Sequence, residues 1–183
     1  MYCSSIENGE MPAMFEILSY DLKQNSGVTS KAIIIVYRFG NWVYYRLKNR
    51  ITKKILWAVY KTLDITIVKA FGNAEIPASC SIGKGLRLPH GGNGIILHSF
   101  CKIGDNVILF HQVTLGVDPT NMGKTNHGSP TVGNNVLIGA GAKLIGKIKV
   151  GDNVKIGANA VVIKNVPSNS TAVGVPARII NLR

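Results

Sequence analysis

From Val132 onward an aliphatic residue returns every six positions, at Val132, Ile138, Leu144, Val150, Ile156 and Val162. Four residues after each of these stands a second small or branched side chain: Val136, Ala142, Ile148, Val154, Ala160 and Val166. Glycine directly follows the first position at Gly133, Gly139, Gly151 and Gly157. A six-residue period matches neither the 3.6-residue repeat of a helix nor the two-residue alternation of a hairpin strand. It predicts a parallel β-helix, with one short strand and one turn per hexad and each aliphatic residue pointing into a narrow prism. The glycines are expected to serve its tight corners.

The same period runs upstream in two shifted frames. Ile76, Ile82 and Leu88 form one, and Leu97, Ile103, Leu109 and Leu115 form the other. The step from Leu88 to Leu97 is nine residues, three more than a hexad; the step from Leu115 to Val132 is 17, eleven more. The array is therefore interrupted by a short insertion near residues 90–93 and by a longer loop within residues 117–131. Before Asn73 the pattern changes. Residues 14–23 and 30–48 show helical spacing, and residues 53–71 are another helix-length segment. Ser30 is the expected N-cap of the second helix, Gly40 an interruption that it tolerates, and residues 49–52 the link to the third. The division expected is a helical region over 1–72 and a β-helix domain over 73–183. The regular array ends near Val166, and a tail follows Pro167 with a strand-like stretch at 172–180.

The chain is 46% hydrophobic and 16% charged, which excludes a disordered polyelectrolyte. No apolar run reaches the roughly 18 residues of a membrane span; the longest, 32–45 and 55–71, are broken by Arg38 and by Lys61, Asp64 and Lys69. Cys3, Cys80 and Cys101 are odd in number and widely spaced. That pattern is neither a disulfide framework nor a metal-ligand set, and with no secretory signal visible it predicts a cytoplasmic protein without a metal. The formal charge of +12 divides as +5 over residues 1–74 and +7 over 75–183, so no single basic arm carries it. No nucleic-acid motif accompanies it. Arg46, Lys48, Arg50, Lys53 and Lys54 cluster between two helices. They read either as a solvated face or as an attraction to anionic lipid at the inner face of a membrane. Tyr44, Tyr45, Trp57 and Tyr60 nearby are expected in the core or in subunit contacts.

Repeat arrays carry function where the repeat breaks. Both interruptions are polar and hold histidine: His90 among glycines in the first, His127 in the second. His98 and His111 complete the set of four. Histidine suits general-base work because its unperturbed pKa lies near ~6.5. A carboxylate can orient such a base. Glu75 precedes His90 by slightly less than one coil, which could place it on a neighbouring level. On spacing alone His90 is either a base or a structural corner residue. His127 is either part of an acceptor site or a solvated loop histidine.

The run from Glu75-Ile76-Pro77 through Leu86-Arg87-Leu88-Pro89-His90 resembles the serine acetyltransferase family of hexapeptide-repeat enzymes. So do Val113-Thr114-Leu115-Gly116, Ile138-Gly139-Ala140-Gly141-Ala142-Lys143 and Gly174-Val175-Pro176-Ala177-Arg178. The resemblance covers nearly all of residues 73–183 and extends weakly to Tyr20-Asp21-Leu22 and Tyr37-Arg38. It implies a left-handed parallel β-helix with an N-terminal α-helical appendage, three hexads per coil. It also implies a homotrimer with active sites between adjacent β-helices, and acetyl-CoA as acyl donor. His90 matches the catalytic histidine of the family. Glu75 matches its acidic partner, which is usually Asp. Ala140 and Ala158, each two residues after an inward hexad position, match places whose backbone amides meet the pantetheine arm; without the resemblance they read as turn preference. Lys124, Lys143 and Lys164 are left unassigned as solvated lysines.

Three departures shift the expected acceptor. Pro89 stands where serine-acetylating members usually have Asp. The long loop ends His127-Gly128-Ser129-Pro130, without the usual arginine, and the helical region is short. A free amino acid needs charged partners, whereas Asn93, Asn126 and Ser129 offer neutral ones. Asn93 and His127 are thus expected to line an acceptor site for a sugar hydroxyl in surface polysaccharide synthesis, as in the colanic-acid and capsule branch. L-serine acetylation and a non-catalytic scaffold are the competing readings.

Overall fold

The computed structural model describes residues 11–118 and 128–180, with side chains from Met14 onward. Helix α1 spans Met11–Gln24 and α2 Val28–Arg46. Helix α3, Arg50–Leu63, continues as a π-helical stretch, Asp64–Phe71. Asn49 caps α3, its side-chain oxygen accepting from the Ile51 and Thr52 amides at 3.0 and 3.1 Å. Ser30 is not the cap of α2. The helix starts two residues earlier behind Gly27, and the Ser30 hydroxyl donates back to the Gly27 carbonyl. Gly40 is more than tolerated: a Cβ there would enter the Tyr60 ring, so its absence lets α3 lie close against α2. Among the described residues no helix is long and apolar enough to cross a membrane.

Among the described residues thirteen strands follow, most of only two residues. Twelve of them form three parallel ladders around a triangular core. The first ladder holds Ser81–Ile82, Lys102–Ile103, Thr131–Val132 and Lys149–Val150. The second holds Ile108–Leu109, Leu137–Ile138, Lys155–Ile156 and Thr171–Val173. The third holds Ile96–Leu97, Thr114–Gly116, Lys143–Ile145 and Val161–Val162. Register reproduces the interruptions read from the sequence. Ser81 pairs with Lys102, Lys102 with Thr131 and Thr131 with Lys149. The third of these steps is one coil of three hexads. The first two exceed it by the short and the long insertion respectively. The last coil is slightly shortened, Lys155 pairing with Thr171. The parallel stack thus runs past Val166 to Val173, and Arg178–Ile180 folds back antiparallel on it. Among the described residues both hexad positions point inward, from Ile76 to Ala172, and are buried.

Glycines and asparagines divide the corner work. Residues three positions after an inward aliphatic adopt positive φ: Asn106, Asn135, Asn153 and Asn169 along one edge, with φ from 54° to 58°. Their side chains hydrogen-bond in a ladder, from Asn106 to Asn135 at 3.3 Å, Asn135 to Asn153 at 3.2 Å and Asn153 to Asn169 at 2.9 Å. The glycines directly after the inward residue do not turn the chain. They let coils stack: a Cβ on Gly139 would sit 2.7 Å from the Ala158 amide nitrogen and 2.9 Å from the Ile156 carbonyl oxygen.

The helices are fastened to the first coil through buried polar groups. Arg38 donates to Asp21 at 2.8 Å and to the Ile82 and Gly83 carbonyls at 2.6 Å each. Asp21 accepts from the Gly85 amide at 2.6 Å, and Tyr37 donates to the Cys80 carbonyl at 2.9 Å. Asn25 donates to the Leu86 carbonyl and accepts from the Leu88 amide, both at 2.8 Å. Burial pushes the Asp21 carboxyl up, against the opposing pull of Arg38.

Candidate active site

His90 lies in the short insertion, within the tight turn Pro89–Gly92. It holds φ 58° and ψ 30°, a left-handed conformation that costs a non-glycine residue about 1–2 kcal/mol. Gly91, Gly92 and Gly94 share positive φ, so the turn is a compact knot. The start of α2 supports it, because a Cβ on Gly91 would come 3.2 Å from Thr29. The His90 ring is exposed and meets two others: His111 edge-on at 5.2 Å and Phe110 at 6.2 Å between centroids. Inside, His111 Nδ1 is buried and has no hydrogen-bond partner among the described residues.

Register explains this meeting. Leu88, Leu109, Ile138 and Ile156 stack on one face. The residues two positions on are therefore His90, His111, Ala140 and Ala158, in one file along a single corner, about 5 Å apart per coil. The equivalent file on the asparagine corner is sealed. There the amides of Lys84, Asp105, Asn134 and Asp152 each donate to a side-chain oxygen of the next coil, at 2.6 to 3.0 Å. On the histidine corner the amides of Ala140 and Ala158 have no partner among the described residues. Small side chains leave them open, Ala158 being exposed and Ala140 half-buried. Lys143 closes the flank of this file, its ammonium donating to the Gln112 carbonyl at 2.6 Å.

Of the residues expected at the site, His90, Ala140 and Ala158 share this corner, and Asn93 stands exposed at the exit of the His90 turn. His127 lies outside the described residues. Ser129 is occupied: its hydroxyl donates to the Ser99 carbonyl at 3.0 Å and lies 3.1 Å from His98 Nδ1. Glu75 makes no hydrogen bond to His90. Glu75 sits opposite Ile96 and lines a hollow beside Asp64, Lys69 and Trp57. Reasoning from spacing missed His111, although Leu109 and its hexad frame placed it two residues past an inward position, as His90 is. In the basic cluster Lys53 is held in place, donating to the Tyr44 carbonyl at 2.7 Å.

Residues 129–164 match the family described as bacterial transferase hexapeptide (six repeats). Over 114 residues the chain is 46% identical to a serine acetyltransferase of Staphylococcus aureus, covering 62% of this chain and 52% of that one. It spans about half the length of the curated relatives it matches. The serine acetyltransferase of Brucella abortus strain S19 superposes with a TM-score of 0.77 at 30% identity, over 93% of this chain and 70% of that one. A structure of the Brucella protein in complex with coenzyme A also matches, with a TM-score of 0.77 at 29% identity, over 93% and 69% of the two chains. The serine-bound enzyme of Neisseria gonorrhoeae matches with a TM-score of 0.75 at 28% identity, over 93% and 70%.

These relatives overturn the sugar acceptor expected from the sequence and lend no support to the polysaccharide branch or to membrane association. The expectation rested on two loop positions, Pro89 and the end of the long loop. With three parallel ladders, hexad repeats and these neighbours, the coil is a left-handed β-helix preceded by a helical region, and the chain belongs to the hexapeptide-repeat transferases as a homologue of the serine acetyltransferases.

Proposed function

We propose that the chain is an acetyl-CoA-dependent serine O-acetyltransferase. The observation that carries this reading is the histidine corner: an exposed imidazole at one end of a file whose later members present unpaired amides beside small side chains. Such a file suits an extended acyl-carrier arm. Ala140 and Ala158 can donate to its amide carbonyls, and the thioester end then lies toward His90. The coenzyme A complex of the Brucella protein and the serine complex of the Neisseria protein support donor and acceptor.

The acetyl thioester supplies the acyl group. A serine hydroxyl is a poor nucleophile at neutral pH and needs a base. His90 accepts the hydroxyl proton as the oxygen attacks the thioester carbonyl. The carbon–sulfur bond breaks, and His90 returns the proton to the departing thiolate. Phe110 and His111 fix the imidazole by contact, and the positive-φ knot fixes its backbone. Glu75 makes no hydrogen bond to His90 within the chain, so proton transfer is assigned to His90 alone. The exposed outer side of His90 is where a second coil completes the pocket, in a homotrimer.

Release of free thiol from acetyl-CoA, followed with L-serine and with a panel of sugars and sugar nucleotides, tests the proposal. L-serine should be the productive acceptor. His90→Ala should lower turnover about 10²- to 10⁴-fold with little change in coenzyme A affinity. Turnover on serine that survives His90→Ala would refute the assignment.

A further inference from the structure

From Leu22 to Leu63 the chain holds no aspartate or glutamate, while nine lysines and arginines fall in the same span. Helices α2 and α3 lie wholly within it. The inner side of α3 is accounted for by packing: Tyr60 is buried against Gly40 of α2, and Lys53 is tied to the Tyr44 carbonyl. The outer side is the unusual one. Ile51, Ile55 and Val59, spaced at i, i+4 and i+8, are 75%, 59% and 45% exposed, and Ala58 beside them is exposed too. Ile65, just past the end of α3, is also exposed. Single apolar residues on a surface mean little, but a row along successive turns of one helix is a patch, and a patch marks a contact with something apolar.

Helical spacing places the charge. At about 100° per residue Arg50, Lys54 and Lys61 fall together along one flank of this stripe, and all three are exposed. Arg50 and Lys54 make no ion pair among the described residues. An apolar stripe with a cationic flank is the pattern of a helix that lies in the headgroup layer of an anionic bilayer. A second copy of the chain suits it less, because α2 and α3 packed on themselves bring further cations and no carboxylate to meet them. A soluble polyanion would meet the cations and leave Ile51, Ile55 and Val59 in water. We propose that α3 docks the protein on an anionic lipid surface, with Ile51, Ile55 and Val59 below the headgroups and Arg50, Lys54 and Lys61 at their phosphates. The contact rests on the surface of α3, not on any relative, and does not depend on the reaction at the His90 corner.

The test cosediments the full chain with vesicles of phosphatidylcholine alone and of phosphatidylcholine with about a third phosphatidylglycerol. The anionic vesicles should bind at least about tenfold more tightly, and less so as salt is raised. Arg50→Gln and Lys54→Gln should each weaken that binding about fivefold. Ile55→Gln should weaken it about fivefold or more with every charge in place, which adsorption by net charge alone does not explain. Lys149→Gln and Lys155→Gln, at exposed positions of the late coils, should leave it unchanged. All five positions are exposed or solvent-facing, so the variants should keep the wild-type circular dichroism. Equal affinity for neutral vesicles, binding that Ile55→Gln does not weaken, or an equal loss from the two coil variants would overturn the proposal. So would no vesicle binding at all; if Ile55→Gln then also splits a larger assembly in sedimentation velocity, the stripe is a contact between copies instead.

Discussion

Arg38→Met removes the group on which the helical region is fastened. Four short contacts converge there: Arg38 to Asp21, to the Ile82 carbonyl and to the Gly83 carbonyl, and Asp21 to the Gly85 amide. The side chains of both ionic partners are nearly inaccessible, Arg38 at 7% and Asp21 at 0%. Breaking a buried pair by deleting one partner typically costs about 3–5 kcal/mol, because the survivor stays desolvated. Here the survivor, Asp21, retains one amide donor, and two carbonyls of the first coil lose theirs. For a domain of this size each kcal/mol shifts Tm by about 2–4 °C, so Arg38→Met should lower Tm by about 6–20 °C.

The same residue has a pH signature. Without Arg38, desolvation acts unopposed and the Asp21 carboxyl rises further. A raised carboxyl contributes stability that is complete below its unfolded value and is lost as pH rises through the folded value. The deficit of Arg38→Met should therefore shrink on acidification toward pH ~4 and be largest at neutral pH. Asp21→Leu combined with Arg38→Met should be less damaging than Arg38→Met alone, since no uncompensated charge remains. Thermal and urea unfolding of the variants between neutral and acid pH checks all three. A Tm change under ~2 °C for Arg38→Met, or a deficit that grows on acidification, would refute the reasoning.

Gly139→Ala should cost about 1–3 kcal/mol, because its Cβ meets only backbone of the next coil; Gly116→Ala should cost far less, since its nearest neighbour at 3.1 Å is the flexible end of Ile145. Thermal unfolding of the pair measures the difference. Asn153→Ala should destabilise by about 1–2 kcal/mol through its positive φ and the lost ladder bonds, and Asn153→Gly by less. The Cys80 and Cys101 thiols are pushed by burial up to about 12; at pH 8 they should react with a thiol reagent only when the coil is unfolded, as timed labelling with and without denaturant would show.

The inward frames were legible because a hexad period is a one-dimensional property, carried by aliphatic residues that have no other place to go. Leu88 to Leu97 and Leu115 to Val132 measured both insertions, and the registers from Ser81 to Lys102 and from Lys102 to Thr131 repeat those lengths. The shortening after Val162 escaped because Val166 fits the second inward position while Pro167 suggests an end. Corner chemistry was present in the sequence as well. Asparagine recurs three residues after Ile103, Val132, Val150 and Val166, but glycine, the commoner turn signal, drew the assignment.

Contacts between coils were harder to read, since they depend on absolute coil length. The separation of Glu75 from His90 falls just short of three hexads, yet the insertion that holds His90 lengthens that coil by half a hexad. Glu75 pairs with Ile96, and the ring beside His90 is that of His111, one register step on. The insertion thus creates the exposed turn that makes His90 a candidate base, while Glu75 makes no hydrogen bond to it within the chain. For the same reason the acceptor could not be read from Pro89 and the long loop alone. The π-helical segment meets the coil beside Glu75, and no period in the sequence links Asp64 to that place. A hexad frame fixes which residues share a corner; what the helices lay against the coil has no period in the sequence.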